Sequence, residues 1–574
     1  MSNLMKGLKG SVNTKATPQT EAIPGREADM AANNAGGFSF VLNPWDTLDR
    51  FLILGSEGGT YYTSEQKLTK AGATNAINLI RQDGIRVVNR VVEISDAGRA
   101  PKNDPALFVL ALAASADDEK VRRAALDALP RVARIGTHLF HFAAFVENFR
   151  GWGRALRKAV GNWYLNQDLD RLANQVIKFQ QRDGWSNRDL LRLAHPQTKD
   201  PQRDAILRWT VGGMDALSST EHVQKVKGQR RVTARGDVSS LLHPQILAFE
   251  AAKTASVDEV IRLIQDHNLP REAIPTQHLT EARVWEALLE RMPMTAMIRN
   301  LATMTRVGLL APMSAAERKV REQLGNVDAL RKARVHPIQV LSAQLTYSAG
   351  KGARGNNTWT PVRGVVDALD AAFYASFGNV TPTGKNTLLA LDVSGSMTMG
   401  EIAGVPGLTP RVASAAMALI TANVESSYEF IGFSTGMRSW SASGGQGRGY
   451  GYGSSSVMPL QISPRMRLDD VCKYVNGMPF AGTDCSLPIL YAKAHKLPVE
   501  SFSVYTDNET YAGSVHPNQA LKDYRQSTGL RAKLAVVGMT ATNFTIADPR
   551  DAGMMDVVGF DTAAPQIMSD FFRK

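Results

Sequence analysis

The run Leu388-Leu389-Ala390-Leu391-Asp392-Val393-Ser394-Gly395-Ser396 decides the fold. Its four leading apolar residues read as a strand covered on both faces, the kind found inside a parallel sheet. The strand ends in a carboxylate and two hydroxyls at alternate positions, which leave it together and can converge on one hard cation. Helix 412–424 leads to strand 429–433, and a Gly/Ser-rich insertion occupies residues 441–456. Helices 468–476 and 487–496 lead to strand 502–506, helix 517–527 leads to strand 533–537, and 557–560 is the last strand. Elements of these lengths in alternation predict an α/β doubly wound parallel sheet over residues 381–574.

Two later loops supply more oxygens. Gly482-Thr483-Asp484 offers a hydroxyl, and Asp507 follows the strand ending Val504-Tyr505-Thr506. Carboxyl ends of parallel strands are where open α/β sheets place ligands. The candidate metal ligands are therefore Asp392, Ser394, Ser396, Thr483 and Asp507, with Mg2+ or Mn2+ as the divalent cation. The alternative is that Ser and Asp simply build the turn after a strand.

A catalytic reading of these residues is weak, and the chain is read as a non-enzyme. Ser394 lacks a Gly-x-Ser-x-Gly elbow, and His495 and His516 sit at a helix end and a turn rather than in a triad. Gly55-Ser56-Glu57-Gly58-Gly59 lacks the Lys-Ser/Thr of a phosphate-cradling loop and reads as a tight inter-helix turn.

Upstream, helical periodicity dominates. Helices are expected at 106–116, 121–129, 152–165, 169–181, 186–194, 257–266, 280–290 and 295–304, with Pro130, Gly184, Pro244, Pro270 and Pro293 at the breaks. Helix after helix with no strand pattern predicts an all-α array of stacked pairs, although no sequence period is visible. This domain is placed at residues 37–372, and the polar stretch 1–36 is expected to be a flexible N-terminal arm.

The chain carries 66 Lys and Arg against 54 Asp and Glu, a net charge of +12. From Thr381 onward the two signs balance at 16 each, leaving 50 against 38 before it. An imbalance confined to one domain points to a polyanion partner for that domain. Two cysteines, Cys472 and Cys485, build neither a disulfide framework nor a zinc site, which fits a reducing cytoplasm. No apolar run is long enough to span a membrane, so a cytoplasmic location is expected.

The metal-ligand set resembles the metal-ion-dependent adhesion site of von Willebrand A domains, Asp-x-Ser-x-Ser followed by a Thr and an Asp. The resemblance implies direct ligation by Ser394 and Ser396, direct or water-mediated ligation by Asp392 and Asp507, and Thr483 in one coordination state. It also implies a last position filled by an acidic residue of a partner protein. The runs Arg50 to Tyr62, Trp152 to Ala159 and Gln181 to Ser186 resemble the TROVE module. Together with Gly482 to Pro488, Thr506 to Thr510, Phe544 to Pro549 and Gly559 to Thr562, they are similar to the Ro family from about Gly37 onward.

That resemblance implies a monomeric ring of HEAT-like repeats whose ends the A-like domain joins. It also implies Y-like small RNA on a basic outer surface and the single-stranded end of misfolded structured RNA in a central hole. Family RNA-contacting positions fall on Lys178, Arg182 and His195. Lys178 and Arg182, four apart on an expected helix face, suit adjacent phosphates, and His195 suits a phosphate or a base. Arg154, Arg157 and Lys158, beside Trp152 and Trp163, form a second basic strip, either RNA-facing or a solvated helix face. His138 and His141 lie among apolar residues and read as packed. The Gly444–Gly453 stretch resembles arginine/glycine-rich RNA-brushing segments, but such a stretch is more often a mobile surface loop. The competing function is a metal-dependent protein-interaction adaptor with weak or no RNA binding. Both hold together if RNA tethers an exoribonuclease to the ring.

Overall fold

The computed structural model describes residues 16–55, 68–218, 220–226, 229–352, 356–377, 380–402, 408–435, 455–478, 481–540 and 542–574. The Gly55–Gly59 turn, apart from Gly55, and the Gly444–Gly453 loop lie outside them. The chain divides into two units: residues 1–67 with 379–574, and residues 68–378. Among the described residues no helix is long and apolar enough to cross a membrane.

The first unit is built on six strands: β1 (Thr387–Asp392), β2 (Tyr428–Thr435), β3 (Ser455–Pro459), β4 (Ser501–Thr506), β5 (Lys533–Gly538) and β6 (Met554–Val558). Their order is β6-β5-β4-β1-β2-β3. All neighbours run parallel except β3, which pairs antiparallel with β2. Every residue of β1 and of β4 is buried, as central strands covered by helices must be. The helices are Pro410–Val424, Leu468–Asn476, Leu487–Ala494, Pro517–Thr528 and Ala564–Arg573. Two expectations shift. The tail of the Gly/Ser insertion, from Ser455, is an edge strand, and the last strand lies at Met554–Val558 rather than 557–560.

Residues 16–36 are not a flexible arm. Met30–Ala32 pairs with Phe38–Val41, which pairs in turn with Phe544–Thr545. Arg26 makes a two-pronged contact to Asp548 at 2.9 and 2.7 Å, and Gln19 Nε2 donates to Asp484 Oδ1 at 2.8 Å. Arg50, on helix Pro44–Leu54, grips Asp556 at 2.7 and 2.8 Å. The segment reads as polar because much of what it buries is hydrogen-bonding side chain rather than hydrocarbon, which periodicity cannot register.

The second unit is a succession of helices, among them Thr74–Ala97, Asp104–Ala114, Glu119–Val132, Arg154–Leu165, Leu169–Lys178 and Asn187–Ala194. Val257–His267, Ala282–Leu289, Met294–Arg306, Pro337–Ser348 and Arg363–Ala375 follow among others. It is not purely helical: Thr220–Val226 pairs antiparallel with Gln229–Arg235, and a two-residue hairpin pairs Gln181–Arg182 with Trp185–Ser186. The array also closes on itself. Arg334 Nε donates to the Asp96 carbonyl at 3.1 Å, and the His336 ring meets the Arg99 carbonyl at 3.1 Å. The end of helix Thr74–Ala97 and the turn after it thus touch the turn before Pro337, with helices Pro337–Ser348 and Arg363–Ala375 still to follow.

Candidate metal centre and basic face

Asp392 is the last residue of β1 and is fully buried. Its Oδ1 accepts the Ser394 backbone N–H at 2.9 Å, which folds the chain back after the strand. Its Oδ2 accepts the Thr506 hydroxyl, at the end of neighbouring β4, at 2.7 Å. Ser394 Oγ lies 3.0 Å from Ser396 Oγ, so the two hydroxyls converge. Buried Asp507 follows β4 directly and accepts the Glu509 N–H at 2.8 Å. Thr483 is buried too, its loop pinned where its carbonyl accepts from Tyr511 and Ala512 at 3.2 and 3.0 Å.

Burial pushes the Asp392 carboxyl well above the usual carboxylate range, and the charge of Asp507 adds to the rise. Two carboxylates enclosed without a cation oppose each other, and a divalent ion between them relieves that opposition. No three His, Cys, Asp or Glu side chains group as ligands among the described residues. This donor set is instead two carboxylates and three hydroxyls, all hard oxygen, which suits Mg2+ or Mn2+ and not zinc.

The expected RNA residues are arranged differently from their sequence reading. The helix carrying Lys178 ends there, and Arg182 is in the following hairpin, so the two do not share a helix face. Asp183 and Gly184 take φ of 53° and 78°, the two-residue turn favoured between twisted strands. Arg182 is exposed and paired across the hairpin with Trp185, whose ring lies 5.5 Å from that of Trp152. Exposed His195 stands at the end of helix Asn187–Ala194 in a left-handed conformation. Arg154, Arg157 and Lys158 are all exposed on helix Arg154–Leu165, which bears no acidic residue. Trp163 is in the core and does not flank this strip, whereas Trp152 is half-buried. Counted by unit, residues 68–378 hold 44 basic against 31 acidic residues, and the other unit holds 22 against 23.

His138 is packed as expected, its pKa pushed down to about 4 by burial and by the charge of Arg134. His141 bridges Asp104 at 2.6 Å and Asp183 at 3.5 Å, which ties the hairpin to helix Asp104–Ala114.

A family model described as the Ro60 vWA domain matches residues 386–572, and one described as the TROVE domain matches residues 31–346. The chain is 43% identical over 571 residues to a Deinococcus radiodurans protein named RNA-binding protein RO60, covering 99% of each. The chain belongs to the Ro60 family. A Caenorhabditis elegans protein of the same name is 35% identical over 598 residues, covering 94% of this chain and 89% of that one. The crystal structure of the Deinococcus radiodurans RO (RSR) protein superposes with a TM-score of 0.66, at 43% identity, over 92% of this chain and 99% of that one.

Several residues of this Ro60-family site escape sequence reading. Buried Arg411 donates to the carbonyls of Ser394, at 3.1 Å, and Met478, at 2.9 Å, bracing the loop that follows β1. Gln19 connects Thr510 to Asp484, some 465 residues away in sequence from the latter. Nothing local marks either residue. The hairpin at Arg182 did carry a signal, since Asp-Gly between strand-forming residues is a strong turn indicator.

Proposed function

We propose that this chain binds RNA through the basic face of its helical unit and acts as a non-catalytic ribonucleoprotein component in RNA quality control or decay. The observation that carries this is the solvent-facing set Arg154, Arg157, Lys158, Arg182 and His195, in the unit that holds all of the excess positive charge. Relatives named RNA-binding proteins support the same reading. Y-like small RNA docks by shape and phosphate contacts on this face. A single-stranded end of misfolded RNA enters the hole that a closed helical ring leaves, and a blunt duplex is too wide to follow.

The A-like unit binds Mg2+ or Mn2+ through Ser394 and Ser396, with Asp392, Asp507 and Thr483 completing the set. When bound, the ion supplies a Lewis-acidic position for an acidic side chain of a partner such as an exoribonuclease. The adaptor reading thereby becomes a second role of the same molecule, favoured by the converging hydroxyls of Ser394 and Ser396.

The test is competition binding at several salt concentrations with one structured RNA bearing either a single-stranded 3′ tail or a blunt end. Tighter binding of the tailed form is expected, together with a steep log-linear loss of affinity with salt. Substituting Lys178, Arg182 and His195 with Ala should weaken the blunt form about tenfold or more. Equal affinity of both forms would sink threading, and an unchanged triple variant would sink this docking face.

A further inference from the structure

A cavity of about 230 Å³ opens beside Lys178, enclosed by the ends of helices Leu169–Lys178 and Val257–His267 and by helices Ala282–Leu289 and Met294–Arg306. Its floor is apolar: Leu269, Leu288 and Met292 are all buried. A dry cavity of about 150 Å³ is enough for benzene, so this one has room for a single heteroaromatic ring. Its mouth is cationic and polar. Lys178, Arg271 and Arg291 line it, and Arg271 and Arg291 are exposed, with no carboxylate paired to either among the described residues. Asn174 and Asn300 add amides, which both donate and accept hydrogen bonds. Of the two lining carboxylates, Glu290 is held by Lys319 at 2.6 Å.

An apolar slot of ring size, amide groups able to meet a base edge and two exposed guanidinium groups, unpaired among the described residues, match the parts of a nucleotide. Unpaired bases are bound in this way, splayed from the strand, packed on apolar or aromatic surface and hydrogen-bonded at their edges. We propose that the cavity holds one unpaired nucleotide of a bound RNA, its base in the slot over Leu269, Leu288 and Met292 and its phosphates against Arg271 and Arg291. This rests on the RNA-binding reading above and adds a subsite to it. Lys178 then belongs to this subsite, on a different element from Arg182. Glu272, the remaining carboxylate, accepts from an exocyclic amino group and disfavours a base edge that offers acceptors alone.

The test uses the full chain with two labelled probes, a single-stranded oligocytidylate decamer and a blunt stem-loop RNA. Ala296 lines the cavity, and Ala296→Trp fills it without altering charge. This variant should weaken decamer binding about tenfold and leave stem-loop binding within twofold. Arg271→Ala with Arg291→Ala, both at exposed positions, should also weaken the decamer and reduce its log–log salt slope by about 1.4, the value for two phosphate contacts on a single strand. Thermal unfolding monitors folding, and the Arg variants decide the matter if the Trp variant unfolds. Unchanged decamer binding in the folded variants overturns the proposal, as does an equal loss for both probes. If the unaltered protein binds the stem-loop but not the decamer, the subsite alone fails. If it binds neither, the RNA-binding reading itself fails.

Discussion

Arg26 and Asp548 carry more of the first unit than their distance in sequence suggests. Asp548 is almost wholly buried, and burial by itself pushes a carboxyl up. The Arg26 guanidinium, the Arg550 N–H and Asn518 outweigh that and hold Asp548 at about 2. A carboxyl depressed in the folded state adds stability that is complete above its unfolded value of 3.8 and disappears as pH falls toward 2. Arg26→Ala leaves that charge buried without its main partner, which costs about 3 kcal/mol or more. Chemical denaturation at neutral pH should show the loss. Between pH 4 and pH 2 the gap between variant and parent should narrow, because the parent surrenders the same contribution on protonation. A constant gap across that range would place the effect of Arg26 elsewhere. The pairing was not legible in advance: Asp548 lies in the Phe544–Pro549 run, but nothing in either stretch marks Arg26 as its partner, and the pair gains its meaning only when residues 16–55 fold onto the last strands.

Elements were legible where apolar periodicity was long and local. Strand β1 and its Asp-x-Ser-x-Ser exit could be read directly, because a central parallel strand is a continuous apolar run and its carboxylate and two hydroxyls lie within five residues. The helix at Leu169 was extended too far, to Gln181, because Gln181 and Arg182 are compatible with helix and the turn signal lies just beyond them. That error put Arg182 on the wrong element. Gly184 is the sensitive point of the hairpin: its φ of 78° is accessible to glycine but strained for a β-branched side chain. Gly184→Val should therefore weaken binding of structured RNA severalfold without removing a charge, by displacing Arg182 and the Trp185–Trp152 contact. Its salt slope should stay near that of the parent, since the exposed cations of helix Arg154–Leu165 remain. Binding equal to the parent's in a folded Gly184→Val protein would show that the hairpin is no part of the docking face.

At the scale of the whole molecule, charge and chemistry are partitioned between the two units. The helical unit holds the excess of basic residues, and the A-like unit, almost neutral, holds the oxygen cluster of Asp392, Ser394 and Ser396. Counterion release follows the number of phosphates neutralised, so on the proposed reading the salt dependence of RNA binding belongs to the helical unit. Substituting Arg154, Arg157 and Lys158 together with Ala removes up to three phosphate contacts. The log–log salt slope for structured RNA should become shallower by about 2 to 3, and calorimetric binding of Mg2+ or Mn2+ should be unaffected. Asp392→Ala should do the converse. It removes a proposed ligand from a site with few protein oxygens, so divalent binding should be lost, while RNA affinity and its salt slope stay within about twofold of the parent's. Each variant thus serves as the folding control for the other, because each is expected to retain one full activity. A large loss of RNA affinity in a folded Asp392→Ala protein would mean that the metal centre governs the basic face, and the division of labour between the units would have to be abandoned.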